Sequence, residues 1–278
     1  MINGMPQSGI GRQALEQELE ALRATDRDRT LERFVTLTPS GDAGQMKKNP
    51  PNYHRHRFPP AIISHAVSLY YRFTLSLRNI EDLLAERRVI VSYESIRRWC
   101  KKFGPAYARR IKKRLGPRSD VWHMDEVVIN IQGHQYYLWR AVDQDGDTLD
   151  ILIQQRKNKK AALRFLRKLL KGQGSSPLRI VTDKLPSYGA AKKELMRSVV
   201  HFQDRYANNR CEVSHEHTRE QERQMRRFRS AGDAHRFLSV HGQVHNLFRV
   251  GRHLLRAHNY RLLRTRAFAT WQEVTCVC

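Results

Sequence analysis

Residues 121–154 read VWHMDEVVINIQGHQYYLWRAVDQDGDTLDILIQ, and this stretch decides the fold. Residues 121–131 are rich in β-branched side chains, Gly133-His134 marks a turn, and 135–142 continues as a second strand carrying Tyr136, Leu138 and Ala141. A second turn at 143–147 centres on Gly146, and 148–153 makes a third strand. Three consecutive strands with tight turns predict an antiparallel meander. Downstream the period changes. An amphipathic helix at 159–170 (Ala162, Leu163, Phe165, Leu166, Leu169) is followed by a short buried strand at 178–182, a helix at 187–196 and a short strand at 199–202. The order β-β-β-α-β-α-β-α is that of the ribonuclease-H-like fold, an α/β (α+β) arrangement with a mixed sheet flanked by helices. Residues 213–230 and 234–263 read as further basic helices packed on that sheet.

Within this frame the acids at strand ends need a reason to be there. Asp125 lies in the middle of the first strand and Asp183 ends the fourth, in Arg179-Ile180-Val181-Thr182-Asp183. Burying an ionised carboxylate is costly without a compensating cation or hydrogen bonds. The first and fourth strands of such a sheet can be neighbours, so the two acids are expected to converge. Neighbouring carboxylates raise each other's pKa unless a divalent metal lies between them, and hard oxygen ligands suit Mg²⁺ or Mn²⁺. A third acid from a following helix would complete a site for two Mg²⁺ ions and phosphoryl transfer. Glu212, Glu216 and Glu220 are spaced by four along one helical face, and Glu212 in the first turn is the favoured one, with Asn208-Asn209 suiting the turn before it. Glu126 alternates to the other face of the strand, which predicts a salt bridge as its role. Asp143-x-Asp145-x-Asp147 lacks the glycine position and distant Glu of a calcium loop, so it is read as a hairpin turn.

Upstream, 58–104 predicts a compact helical unit. Helices are expected at 61–73 and 76–87, and Ser92 is a plausible N-cap for a third at 93–103. Ile96, Trp99, Cys100 and Phe103 form the inner stripe of that third helix, leaving Arg97, Arg98, Lys101 and Lys102 on the other side. Two helices, a short turn and a third helix with a basic outer face make a helix-turn-helix, whose last helix can enter the major groove. Tyr93, Arg97, Arg98, Lys101 and Lys102 are the candidate DNA contacts there. Gly104-Pro105 and Gly116-Pro117 bracket a strongly basic connector in which Arg109, Arg110, Lys112 and Lys113 could track a phosphate backbone. The expected organisation is an N-terminal extension at 1–50 (a loosely attached helix or disorder), the helix-turn-helix domain at 51–104, the connector at 105–118, the catalytic domain at 119–232 and basic helices completing it at 233–278.

Composition narrows the partners. Fifty-one Lys+Arg against 27 Asp+Glu leave the 278 residues with a formal charge of +24, which repels itself unless a polyanion offsets it. Nucleic acid is the leading candidate, ahead of an anionic membrane surface or ribosomal contact. The four cysteines lack C-x-x-C spacing and read as reduced thiols of a cytoplasmic protein, and the His54/His56 and His215/His217 pairs have no cysteine spacing to support zinc. No apolar run approaches the length of a membrane helix, so no membrane partner is expected.

Several blocks carry a resemblance. They are Arg55-His56-Arg57-Phe58-Pro59-Pro60, Ser92-Tyr93-Glu94-Ser95-Ile96-Arg97, Trp122-His123-Met124-Asp125-Glu126, and Tyr137-Leu138-Trp139-Arg140-Ala141-Val142-Asp143. Thr182-Asp183-Lys184, Asn208-Asn209-Arg210-Cys211-Glu212-Val213-Ser214-His215 and Arg223-Gln224-Met225-Arg226-Arg227-Phe228 follow in order. From about Met46 onward the chain resembles insertion-sequence transposases of the IS6 type. The resemblance implies a DDE transposase with a ribonuclease-H-like catalytic core whose acidic triad corresponds to Asp125, Asp183 and Glu212. It further implies binding of the element's terminal inverted repeats, metal-dependent cleavage and strand transfer into target DNA, and a homodimer or larger assembly that brings two ends together. Cys211 stands where the family usually has Ala or Val, and the interval from Asp183 to Glu212 is a few residues shorter than in many relatives, which keeps Glu216 and Glu220 open. A helix-turn-helix regulator without catalysis, an inactive relic and a nuclease that cuts without joining are the alternatives.

Overall fold

The computed structural model describes residues 51–115, 120–183, 185–203, 219–220, 223, 228–249 and 255–277. Three helices come first: α1 (Pro60–Arg72), α2 (Leu77–Ala85) and α3 (Tyr93–Leu115). Pro60 starts α1 at a position where its missing N–H costs nothing. Ser76 caps α2 in a capping box with Asn79, and the Ser95 N–H reaches the Ser92 hydroxyl at 3.4 Å at the start of α3. The meander follows as β1 (Val121–Ile131), β2 (His134–Asp143) and β3 (Thr148–Gln154). Then come α4 (Lys159–Gln173), β4 (Arg179–Thr182), α5 (Pro186–Leu195), β5 (Val200–Gln203), α6 (Ala231–Phe248) and α7 (Ala257–Thr275).

The five strands form one sheet in the order β3-β2-β1-β4-β5, with β1 antiparallel to β2, β2 antiparallel to β3, and β4 and β5 parallel to β1. That order and those directions are the ribonuclease-H-like topology expected from the pattern. The 143–147 turn is closed by its own side chain: Asp143 Oδ1 accepts the N–H groups of Asp145 (3.0 Å) and Asp147 (2.8 Å), and Gly146 takes φ +78°.

Strand alternation separates two cores. On one face Trp122, Met124, Trp139 and Ala141 pack with Ala162, Phe165, Leu166 and Leu169 of α4 and Tyr188 and Ala191 of α5. On the other face Ile129, Ile131, Leu138 and Ile151 share a core with α1, α2, α3, α6 and α7, including Ile63, Trp99, Phe237 and Trp271. The N-terminal helices are thus packed into the same core as one face of the sheet.

The interruption expected at Gly104-Pro105 does not occur. Helix α3 runs through both residues for 23 positions, so the third helix and the basic connector are one rod as far as Leu115. Tertiary packing overrides the local signal here. Gly104 is buried against α1, where a Cβ would stand 2.8 Å from Cε2 and 2.9 Å from the hydroxyl of Tyr71. The glycine is there for close approach between helices, and not as punctuation.

Candidate active site

The site is built where β1 outruns β4. Their parallel register pairs Val121 with Arg179 and ends with Met124 beside Thr182. The next residues along are Asp125 and Asp183, so the shared register itself delivers the two acids to one spot. Asp183 is held by its surroundings: its Oδ1 accepts the Leu185 N–H at 3.1 Å, and its carbonyl accepts the Thr182 hydroxyl at 2.7 Å. That hydroxyl oxygen also lies 2.8 Å from Nε2 of His201 on β5. Across the sheet from Asp125 stands Arg140 of β2, a buried cation facing the same side.

Glu126 joins them. Its parity is that of Trp122 and Met124, which pack on the α4/α5 side, so the expected alternation holds. Beyond Thr182, however, β4 no longer flanks β1, and a carboxylate oxygen of Glu126 comes close to those of the two aspartates. Ligand oxygens of Asp125, Glu126 and Asp183 all lie within 4.8 Å of one another. The Glu126 side chain is only 1% exposed and forms the expected salt bridge, with Lys157 in the turn before α4. Burial pushes its carboxyl up to about 7, the Asp183 charge adds to that push, and Lys157 and the Tyr188 hydroxyl oppose it. Its two oxygens are cut off from solvent, with the Lys157 ammonium as the ion partner of Oε1. A divalent cation would supply what this donor set lacks: hard oxygen ligands crowded together with one ammonium among them. The residues fit such a metal. Sequence reading missed Glu126 and Lys157 as members of the cluster, because alternation says which face a residue starts on and not how far its side chain reaches.

Glu212 and Glu216 lie outside the described residues, and Glu220 is exposed. The candidate DNA contacts divide into two sets. The Arg98 side chain is 77% exposed, and Lys101, Lys102, Arg109 and Lys113 are exposed too. Lys102 Nζ lies 2.8 Å from His56 Nε2. Tyr93 carries the Arg78 guanidinium 4.6 Å over its ring, and Arg97 is clamped to Glu94 with its Nε 2.7 Å from Oε2. The remaining two are half-buried and engaged with the protein: Arg110 donates to Cys276 Sγ of the α7 end at 3.0 Å, and Lys112 stands 4.0 Å from Asp150 on β3. Among the described residues no helix is long and apolar enough to cross a membrane.

Comparison with known proteins gives the following. A family model described as a DDE domain matches residues 119–251. The transposase for insertion sequence-like element IS431mec of Staphylococcus aureus (strain Mu50 / ATCC 700699) is 34% identical over 172 residues, which is 60% of this chain and 76% of the relative. The transposase for insertion sequence element IS257 in transposon Tn4003, also from Staphylococcus aureus, is 33% identical over the same shares. Among solved structures, the HTLV-2 integrase catalytic core domain in complex with magnesium covers 49% of this chain and 89% of its own, at 13% identity and a TM-score of 0.36.

Proposed function

Because the chain belongs to the insertion-sequence transposases of the IS6 type, we propose that it binds the terminal inverted repeats of its element and joins them to target DNA by metal-dependent strand transfer. A transposase of the DDE type is a polynucleotidyl transferase, and the observation that carries the reading is the meeting of Asp125 and Asp183 where β1 passes the end of β4. Asp125, Asp183 and Glu212 would hold two Mg²⁺ ions, with Mn²⁺ able to substitute. Bound there, the metals would activate water or a 3′-hydroxyl for in-line attack on a phosphodiester and stabilise the leaving oxygen. The protein's own part is positional. The β1–β4 register sets the spacing of the two aspartates, and the Leu185 N–H fixes the Asp183 carboxylate.

DNA is the partner that answers the +24 charge. The helix-turn-helix of 51–104 would present Arg98 and Lys102 to end DNA, with Arg109 and Lys113 continuing the basic track along the same rod. Two ends must be held together, so the working form is a homodimer or larger assembly. A strand-transfer assay with Mg²⁺, a labelled end of the native element and the Asp125→Asn, Asp183→Asn and Glu212→Gln variants tests the proposal. Joined products from wild type, with each variant binding DNA but not joining it, are expected. A wild-type protein that binds ends but neither cuts nor joins with any divalent metal would return the chain to the regulator or relic reading.

A further inference from the structure

We propose that Glu126 is a further metal-binding carboxylate of this site, and that Lys157 is the counter-cation that occupies its place until the metal enters. The inference rests on the metal-dependent reading above and adds two residues to it.

Distance carries the first half. The ligand oxygens of Asp125, Glu126 and Asp183 already lie within 4.8 Å of one another. Around a six-coordinate Mg²⁺ with bonds of about 2.1 Å, neighbouring oxygens stand about 3 Å apart and opposite ones about 4.2 Å. The 4.8 Å bound is within about 1 Å of the spacing of opposite oxygens in that shell. Burial carries the second half. A carboxylate that is 1% exposed, with one ammonium as its ion partner, is expensive to keep ionised. An ion pair with lysine is a weak remedy, because a buried pair gains little over apolar packing of the same size. It makes sense if the lysine is a replaceable cation. Lys157 meets that requirement: its side chain is 34% exposed and it lies in the turn just before Asn158, the N-cap of α4. The ammonium can therefore swing into solvent, or toward a phosphate of bound DNA, without disturbing the helix.

The test needs no DNA. Mn²⁺ is titrated calorimetrically into the full chain as wild type, Asp183→Asn, Glu126→Gln, Lys157→Met and the Glu126→Gln/Lys157→Met double variant, with thermal melts to confirm folding. Glu126→Gln should weaken Mn²⁺ binding by about tenfold or more, since losing even a hydrogen-bonding partner of a metal ligand costs about 10–100-fold. Lys157→Met should tighten it, because the metal no longer displaces an ammonium, and the double variant should bind as weakly as Glu126→Gln. If Glu126→Gln does not fold, the double variant carries the test, since it removes both charges at once. Unchanged affinity in Glu126→Gln, or in the double variant, beside a clear loss in Asp183→Asn would overturn the proposal and leave Glu126 a structural partner of Lys157. Weaker binding in Lys157→Met would refute the counter-cation half. If wild type itself binds no Mn²⁺, the metal reading of the whole site fails, and this proposal fails with it.

Discussion

Replacing Gly104 by alanine probes the contact that sets the N-terminal helices on the catalytic body. On an open helix surface the change would stabilise by about 1 kcal/mol, because alanine is the better helix former. At this position the new Cβ meets three atoms of the Tyr71 side chain at 2.8, 2.9 and 3.1 Å. The ring has little room to retreat. It stacks on Phe237 at 5.4 Å, meets Tyr70 edge-on at 5.0 Å, and donates its hydroxyl proton to the Cys100 carbonyl at 3.2 Å. The Tyr71 carbonyl is itself 2.8 Å from His241 Nδ1 on α6. Overpacking of this kind costs about 1–3 kcal/mol, and the immobile ring favours the upper half of that range. Subtracting the helix gain leaves a net loss of about 1–2 kcal/mol, or a fall in Tm of roughly 2–8 °C for a chain of this size. The assay is thermal unfolding of Gly104→Ala in the wild-type and Tyr71→Leu backgrounds. With the ring gone, Ala at 104 should be neutral or stabilising, so the two effects should not add. A higher Tm for Gly104→Ala in the wild-type background would refute the reasoning, and with it the close packing of α1 on an unbroken α3.

Four further outcomes are expected. In end-DNA binding measured against salt concentration, Arg98→Ala and Lys102→Ala should each flatten the slope of log K against log salt by roughly one, as loss of a phosphate contact does. Arg110→Ala and Lys112→Ala should leave that slope unchanged and lower Tm instead, since both side chains are half-buried and engaged within the protein, at Cys276 and Asp150. Ser76→Ala should cost about 0.5–2 kcal/mol in denaturant melts, because it removes the capping box that starts α2. Burial and the nearby Lys168 lower the pKa of His235, with Asp150 pulling the other way and Arg236 adding to the fall. The folded state therefore binds this proton less readily than the unfolded chain, so the contribution of His235 to stability is intact above pH 6.5 and is lost as pH falls below it. An NMR titration of the His235 ring should show a midpoint below 6.5, and a midpoint above it would reverse the sign.

Much of the molecule was legible in its residues because its signals are local. Period-two runs bounded by Gly133 and Gly146 mark the meander, and the apolar spacing in 159–170 marks α4. The β-β-β-α-β-α-β order then leaves few sheets to choose from. Asp125, within the first strand, and Asp183, at the end of the fourth, stood out because a carboxylate on a buried strand has to be compensated by something. Tertiary structure decided what depends on contacts between distant segments. Gly104-Pro105 looks like a stop until α1 is packed against it. The spacing of Arg109, Arg110, Lys112 and Lys113 shows four equal cations, yet two of them find partners within the protein, at Cys276 after α7 and Asp150 on β3. Strand alternation sends Glu126 away from Asp125, yet in the folded chain a carboxylate oxygen of each lies within 4.8 Å of the other and of Asp183. Sequence determines periodicity, charge and which acids need a partner. Which of them meet is set by where neighbouring strands and helices end.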